Sequence, residues 1–252
     1  MRLENQVVIV TGAARGIGRA IAMRCAQEGA RVVIADVRDE AGRATTVEIN
    51  KVGGAALYAH CDVSRQKQVQ ALVQRVVKKW GRIDVLVNNA GVCPFWDFET
   101  MPEEIWDKAL DTNLKGAFLM SQAVANVMIE KEIRGRIITI GSISSIVGGA
   151  QQAHYCASKA GLNLLTASMA ISLGKHGIRC NVILPGPIET DINREDLAQP
   201  NKREYFIQRT PLGRIGQPED LTGPVLFFAT EDSAWCTGAT LVCDGGILVN
   251  FQ

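Results

Sequence analysis

The amino-acid sequence predicts an α/β fold, a seven-stranded parallel sheet doubly wound and covered by helices on both faces. Three observations carry this. Short β-branched runs alternate with longer stretches of helical periodicity from the first residues onward. The runs are apolar throughout, the pattern of strands buried on both faces. Glycine and proline fall between them, at Gly29, Gly53, Gly54, Gly81, Gly135, Gly177, Pro185, Gly186 and Pro187, where element ends need turns.

In chain order, the first strand spans 7–10 and leads through a glycine-rich turn into a helix over 16–28. A strand at 32–35 precedes a helix over 39–52, and a third at 56–59 precedes one over 65–80. The fourth, 85–87, is followed by two helices, 102–112 and 114–132, with Asn113 between them. After the fifth, 137–140, comes a helix over 152–173. The sixth, 180–183, runs into Pro185-Gly186-Pro187 and then into a polar, mixed-charge stretch, 192–208, interrupted by Pro200. That stretch reads as a substrate lid, with outer limits near 190 and 210. A helix over 218–230 and a strand at 240–242 complete a single domain over 1–252.

Composition narrows the function. With 27 Lys+Arg against 26 Asp+Glu, the net charge of +1 gives no general attraction to nucleic acid or anionic membrane, so neither partner is expected. No apolar stretch is long enough to span a bilayer and no secretory signal is evident, which points to the cytoplasm. The seven cysteines, Cys25, Cys61, Cys93, Cys156, Cys180, Cys236 and Cys243, form no C-x-x-C pair and read as free thiols of a reducing compartment. His60, His154 and His176 stand in no ligand pattern, so no metal is expected.

Thr11-Gly12-Ala13-Ala14-Arg15-Gly16-Ile17-Gly18 follows the first strand and opens a helix. Backbone N–H groups and the helix dipole there converge on an anion, and the glycines allow close approach. Asp36 ends the second strand, where its carboxylate can accept hydrogen bonds from ribose hydroxyls and repel a 2′-phosphate. NAD is therefore expected ahead of NADP, although Arg15 and Arg38 could pair with that phosphate. Tyr155 and Lys159 lie four residues apart on one helix face, and Ser142 follows the fifth strand.

These segments resemble the short-chain dehydrogenase/reductase family over essentially the whole chain, and the resemblance implies a single Rossmann-type domain. In that likeness Gly12, Arg15, Gly16, Ile17 and Gly18 form the phosphate turn. Asp62-Val63 would meet the adenine, and Asn89-Ala90-Gly91 would border the adenosine side. Pro185 and Gly186 open the loop from which Ile188 and Thr190 would hold the nicotinamide carboxamide. Ser142, Tyr155, Lys159 and Asn113 match the catalytic residues. Tyr155 would act as acid or base, its phenolate stabilised by the Lys159 ammonium and the positive nicotinamide ring together. Ser142 holds the reacting oxygen. The resemblance further implies that Lys159 would also hold the nicotinamide ribose and that Asn113 would support a water chain to it.

The pocket walls fall in variable stretches, and a substrate is argued from their chemistry. Gln151, Gln152, His154 and Asn193 can each donate and accept, which suits a polyhydroxylated ligand, and Trp96 or Phe95 offers an apolar face to sugar C–H groups. Gln152, Asn193 and Trp96, with Ser142 and Tyr155, are the expected substrate contacts. Segments 92–95, 142–155, 177–181, 189–197 and 244–252 resemble bacterial aldose dehydrogenases of the L-rhamnose 1-dehydrogenase type, which oxidise C1 of the sugar to a lactone. The alternatives are 3-oxoacyl-(acyl-carrier-protein) reduction or another sugar or alcohol of the same family. The lid's alternation of Arg194, Lys202, Arg203 and Arg209 with Glu195, Asp196 and Glu204 argues against an acidic carrier protein. A nucleotide sensor without catalysis would have no use for all four catalytic residues. The family resemblance also implies a homotetramer, built on the helices over 114–132 and 152–173 and on the last helix and strand.

Overall fold

All seven expected strands form, each one to three residues longer than the apolar run that announces it. The computed structural model describes residues 1–250. Its strands are β1 Val7–Thr11, β2 Arg31–Asp36, β3 Ala55–His60, β4 Val85–Asn88, β5 Arg136–Ile140, β6 Arg179–Pro185 and β7 Thr240–Cys243. They pair in the order β3-β2-β1-β4-β5-β6-β7, every pair parallel. The order reverses beside β1, between β2 and β4. That switch point opens a crevice at the carboxyl ends of the strands.

Both faces of the sheet are buried, which is why the strands show no in-and-out alternation. Val8 and Val10 of β1 and Val32 and Ile34 of β2 pack with Ile21 and Cys25 of α1 (Gly16–Gln27) and with Val225, Leu226 and Phe228 of the last helix. Val7, Ile9 and Val33 face the other way, onto α3 (Gln66–Trp80) and α5 (Gly116–Glu130). α2 (Asp39–Lys51) follows β2 and sends Ile49 into the first layer. Each fully buried aliphatic side chain contributes about 1.5–3 kcal/mol, so the two layers together far outweigh any single surface contact.

Two helical expectations change in detail. The predicted helices 102–112 and 114–132 are not separated at Asn113. α4 (Glu103–Leu110) passes through one wide turn of π-helix, Asp111–Lys115, straight into α5. The extra residue turns Asn113 inward, and a turn of this kind commonly marks a functional site. The predicted lid contains two short helices, α7 (Arg194–Leu197) and α8 (Lys202–Arg209), separated by the segment holding Pro200. α6 (Ala153–Leu173) and α9 (Thr222–Ala229), the latter entered through a 3-10 turn at Pro218–Leu221, lie where the sequence places them. Phe118 on α5 and Leu164 and Ile171 on α6 remain exposed, as does Val242 on the edge strand β7. Among the described residues no helix is long and apolar enough to cross a membrane. All seven cysteines are free.

Candidate active site

The crevice is a cleft of about 870 Å³, a size suited to an extended cofactor and a small substrate. One end is built on β1 and α1. Gly12 and Gly16 adopt φ of +63° and +53°, which only glycine takes without strain. A Cβ on Gly12 would stand 2.9 Å from the Ala90 Cα, so the turn lies flat against the end of β4. Arg15 enters α1 in extended conformation and makes no side-chain cap, which leaves the first-turn amides to an anion in the cleft. Gly18 is placed differently from the expectation. It lies under the turn, outside the cleft lining, and a Cβ there would meet the Gly12 carbonyl at 2.3 Å. Its part is to let the helix approach the strand.

Thr11 closes this end. Its hydroxyl accepts from the Asn89 and Ala90 amides, both at 3.0 Å, and donates to the Val87 carbonyl at 3.3 Å. The Asn89 side chain donates to the carbonyls of Thr11 and Gly12 at 2.8 and 3.1 Å. Asp36, 3% exposed, accepts from the Ala14 amide at 2.9 Å and from the Arg38 amide at 3.0 Å, with the Arg38 guanidinium 3.6 Å away. Each carboxylate oxygen keeps a lone pair for a ribose hydroxyl. Asp62 and Val63 both line the cleft, but the Asp62 carboxylate accepts from the Ser64 amide and hydroxyl and so also caps the following turn.

At the other end Ser142, Tyr155 and Lys159 come together. Lys159, 4% exposed, donates from Nζ to the Ile140 carbonyl at 2.9 Å and sits 5.4 Å from the centre of the Tyr155 ring. Burial pulls its pKa down to about 8, with the nearby Cys93 thiol acting the other way. Desolvation raises the Tyr155 phenol above its ordinary value, Cys93 adds to the rise, and a hydrogen bond with Ser142 opposes it. The ammonium stands over the ring and is bonded to a carbonyl, so desolvation prevails among the chain's own groups. The Ser142 Oγ also accepts from the Ser144 amide at 3.1 Å, fixing the hydroxyl at the start of a 3-10 turn, Ile143–Ser145.

Asn113 is committed to the fold. Its Oδ1 accepts from the Val92 amide at 2.8 Å, and its Nδ2 donates to the Val92 carbonyl and the Ser158 hydroxyl, both at 3.0 Å. The side chain acts as a brace between α6 and the loop after β4, and Oδ1 keeps one lone pair that a water could use. A Cβ on Gly91 would lie 3.3 Å from Asn113 Oδ1 and 3.7 Å from Lys159 Nζ, so Gly91 sits where brace and ammonium meet.

The expected substrate contacts divide. Gln152 lines the cleft, held loosely by the Ser144 hydroxyl at 3.4 Å. Asn193 lines it too, but its Oδ1 accepts from the Thr190 amide and hydroxyl and its Nδ2 donates to the Ile188 carbonyl, so it locks the loop after β6. Trp96 is outside the lining, 40% exposed, with its indole N–H on the Thr100 carbonyl; Phe95 takes the wall instead. His154 is buried away from the cleft, and burial holds its pKa below the ordinary value. Gln151, at φ +60°, donates to Asp97 at 2.7 Å and accepts the Trp96 amide at 3.0 Å, clasping the two walls together. Sequence reasoning missed Lys108 and Thr112 before and within the wide turn. It also missed Leu248 and Asn250, which reach the cleft from the closing 3-10 turn Ile247–Val249. Asn250 exchanges two hydrogen bonds with Arg209 of α8, at 3.0 and 2.9 Å.

A parallel sheet reversed at β1, an uncapped helix over a glycine turn, and Ser142, Tyr155 and Lys159 at one end of the same cleft define a nucleotide-dependent oxidoreductase site. A family model described as enoyl-(acyl carrier protein) reductase matches residues 12–248, and the chain belongs to the short-chain dehydrogenase/reductase family. Within that family it is 50% identical, over all of both chains, to an L-rhamnose 1-dehydrogenase (NAD(P)(+)) of Azotobacter vinelandii. It is 47% identical, over 99% of both, to an enzyme of the same description from a Sphingomonas species. Among solved structures it is similar to a gluconate 5-dehydrogenase from Burkholderia cenocepacia in complex with NADP and tartrate, with a TM-score of 0.94, 34% identity, and 98% and 97% of the two chains covered.

Proposed function

We propose that this chain oxidises an aldose, L-rhamnose or a sugar sharing its C1–C3 stereochemistry, at C1 to the lactone with NAD(P) as acceptor and NAD preferred. The observation that carries the reading is the placing of Ser142, Tyr155 and Lys159 at one end of a cleft whose other end fits a dinucleotide. The full-length likeness to L-rhamnose 1-dehydrogenases supplies the sugar. The uncapped start of α1 suits the pyrophosphate and Asp36 the adenosine ribose. Ile188 and Thr190 line the same cleft and would hold the carboxamide, and Lys159 the second ribose. When bound, the oxidised nicotinamide supplies a hydride acceptor and a positive charge.

The chain's own residues do the rest. Ser142 holds the C1 oxygen, Tyr155 takes the hydroxyl proton, and Lys159 stabilises the phenolate while it remains charged. Because the phenol is raised, oxidation gains from rising pH until Lys159 loses its proton near 8. Asn113, Ser158 and Gly91 position the pair without touching the sugar. Gln152 reaches the hydroxyl beside the reacting carbon, one helical turn before Tyr155. The stretch 190–210 serves as the lid of a single domain.

We place the protein in the cytoplasm as a homotetramer, its copies meeting through the apolar residues left exposed on α5, α6 and β7. Light scattering at micromolar concentration tests this, and a monomer counts against it. The substrate reading is tested with aldoses, simple alcohols and a 3-oxoacyl thioester, each with NAD and NADP. Oxidation of L-rhamnose, lost selectively in Gln152→Leu, supports it. Efficient thioester reduction with no aldose turned over would replace it with a 3-oxoacyl reductase.

A further inference from the structure

We infer that Asp191 is a specificity-determining residue for the dinucleotide, because it occupies the Arg15 guanidinium and withholds it from a 2′-phosphate. The inference rests on the dinucleotide reading above and concerns a residue outside the phosphate turn and the catalytic group. Arg15 follows Ala14, whose amide holds Asp36, so its backbone stands beside the ribose-recognising carboxylate. Its side chain is nevertheless not paired with Asp36; that ion contact belongs to Arg38 at 3.6 Å. Arg15 instead extends to Asp191, Nη1 to Oδ2, at 2.7 Å. The other Asp191 oxygen is paired with Arg194.

This contact joins the phosphate turn to the loop entering the lid, residues 176 positions apart in sequence. The two loops touch directly, since a Cβ on Gly16 would lie 3.5 Å from the Thr190 Cγ2. Arg15 and Asp191 both line the cleft, and the Asp191 side chain is only 25% exposed. Asp191 takes only Nη1 of the guanidinium, but it neutralises the cation and holds the side chain toward the lid, so a 2′-phosphate gains less from Arg15 than it would from an unpaired guanidinium. NAD carries only a 2′-hydroxyl at that place and does not draw on that charge. Two devices therefore oppose NADP: Asp36 repels the phosphate, and Asp191 sequesters the cation that would compensate it. The first acts at the ribose, the second from the far wall of the cleft.

Adenosine 2′,5′-bisphosphate and 5′-ADP, titrated calorimetrically, separate this role from general effects. Asp191→Asn is expected to bind the bisphosphate about fivefold tighter than the wild type does, with 5′-ADP changed less than about twofold. Adding Arg15→Gln should abolish the gain, and Asp191→Glu should keep the wild-type ratio. An unchanged ratio in Asp191→Asn overturns the inference. So does a gain that survives Arg15→Gln, which would show a bulk charge effect. Binding of neither nucleotide to the wild type is a separate failure, of the dinucleotide reading itself.

Discussion

Replacing Lys159 by methionine should abolish turnover and yet stabilise the fold at neutral pH. The ammonium is 4% exposed, bonded to one carbonyl, and its pKa falls from 10.5 to about 8 through burial. At about 1.4 kcal/mol per pKa unit, keeping this charge buried costs the native state about 3 kcal/mol below pH 8. Methionine fills similar space without charge but leaves the Ile140 carbonyl unpaired, a loss of about 1–2 kcal/mol. The net gain at pH 7 is about 1–2 kcal/mol, or a few degrees in Tm for a chain of this length. The pH dependence gives the sharper sign. Between pH 8 and 10.5 the folded wild type binds fewer protons at this site than the unfolded chain, so its own stability rises and the variant's advantage shrinks. Above 10.5 the neutral amine still donates to Ile140, and the order reverses. Urea unfolding of nucleotide-free protein at fixed concentration, from pH 7 to 10.5, measures this difference. A variant less stable than wild type at pH 7, or a difference that ignores pH across that range, would refute the reasoning.

Tyr155→Phe removes only the proton-carrying oxygen and should lower kcat roughly a thousandfold while nucleotide affinity by calorimetry stays within a few-fold. Equal loss of both would count against its role. Asp36→Ala takes away the repulsion and the ribose acceptor together, and the NADP/NAD ratio of kcat/KM should rise about tenfold or more; an unaltered ratio removes Asp36 from cofactor choice. Gly18→Ala drives a Cβ to within 2.3 Å of the Gly12 carbonyl and should cost about 1–3 kcal/mol in denaturant unfolding and weaken nucleotide binding as the turn shifts. Wild-type behaviour in both measurements would mean the turn is softer than its packing indicates.

The strands were legible because a sheet covered on both faces writes unbroken apolar runs into its sequence, and the glycines at 12 and 16 because only they take positive φ there. Tyr155 and Lys159 were legible because helical spacing alone brings them to one face. What the sequence hid was settled by contacts between distant segments. The wide turn at 111–115 has no compositional mark, since it is Val92 and Ser158 that hold Asn113 inward. Phe95 rather than Trp96 faces the cleft because the Gln151 clasp, 55 residues further along the chain, sets the loop's rotation. Asn193 is polar and close to the site, as substrate residues are, but three of its bonds are spent on its own loop. The raised Tyr155 phenol likewise depends on desolvation, which spacing does not report.

The Thr11 hydroxyl has a consequence for how this chain tolerates change. One oxygen satisfies two amides and one carbonyl at the point where β1 and β4 part, so valine, its match in shape, would strand three backbone groups, whereas serine would keep all three bonds. A mutational library selected only for folded protein, blind to turnover, should therefore retain Thr or Ser at position 11 while letting Tyr155 drift to phenylalanine. Comparing such a library with one selected for activity would sort positions near the cleft into those that hold it open and those that work inside it, a distinction that residue identity alone does not make.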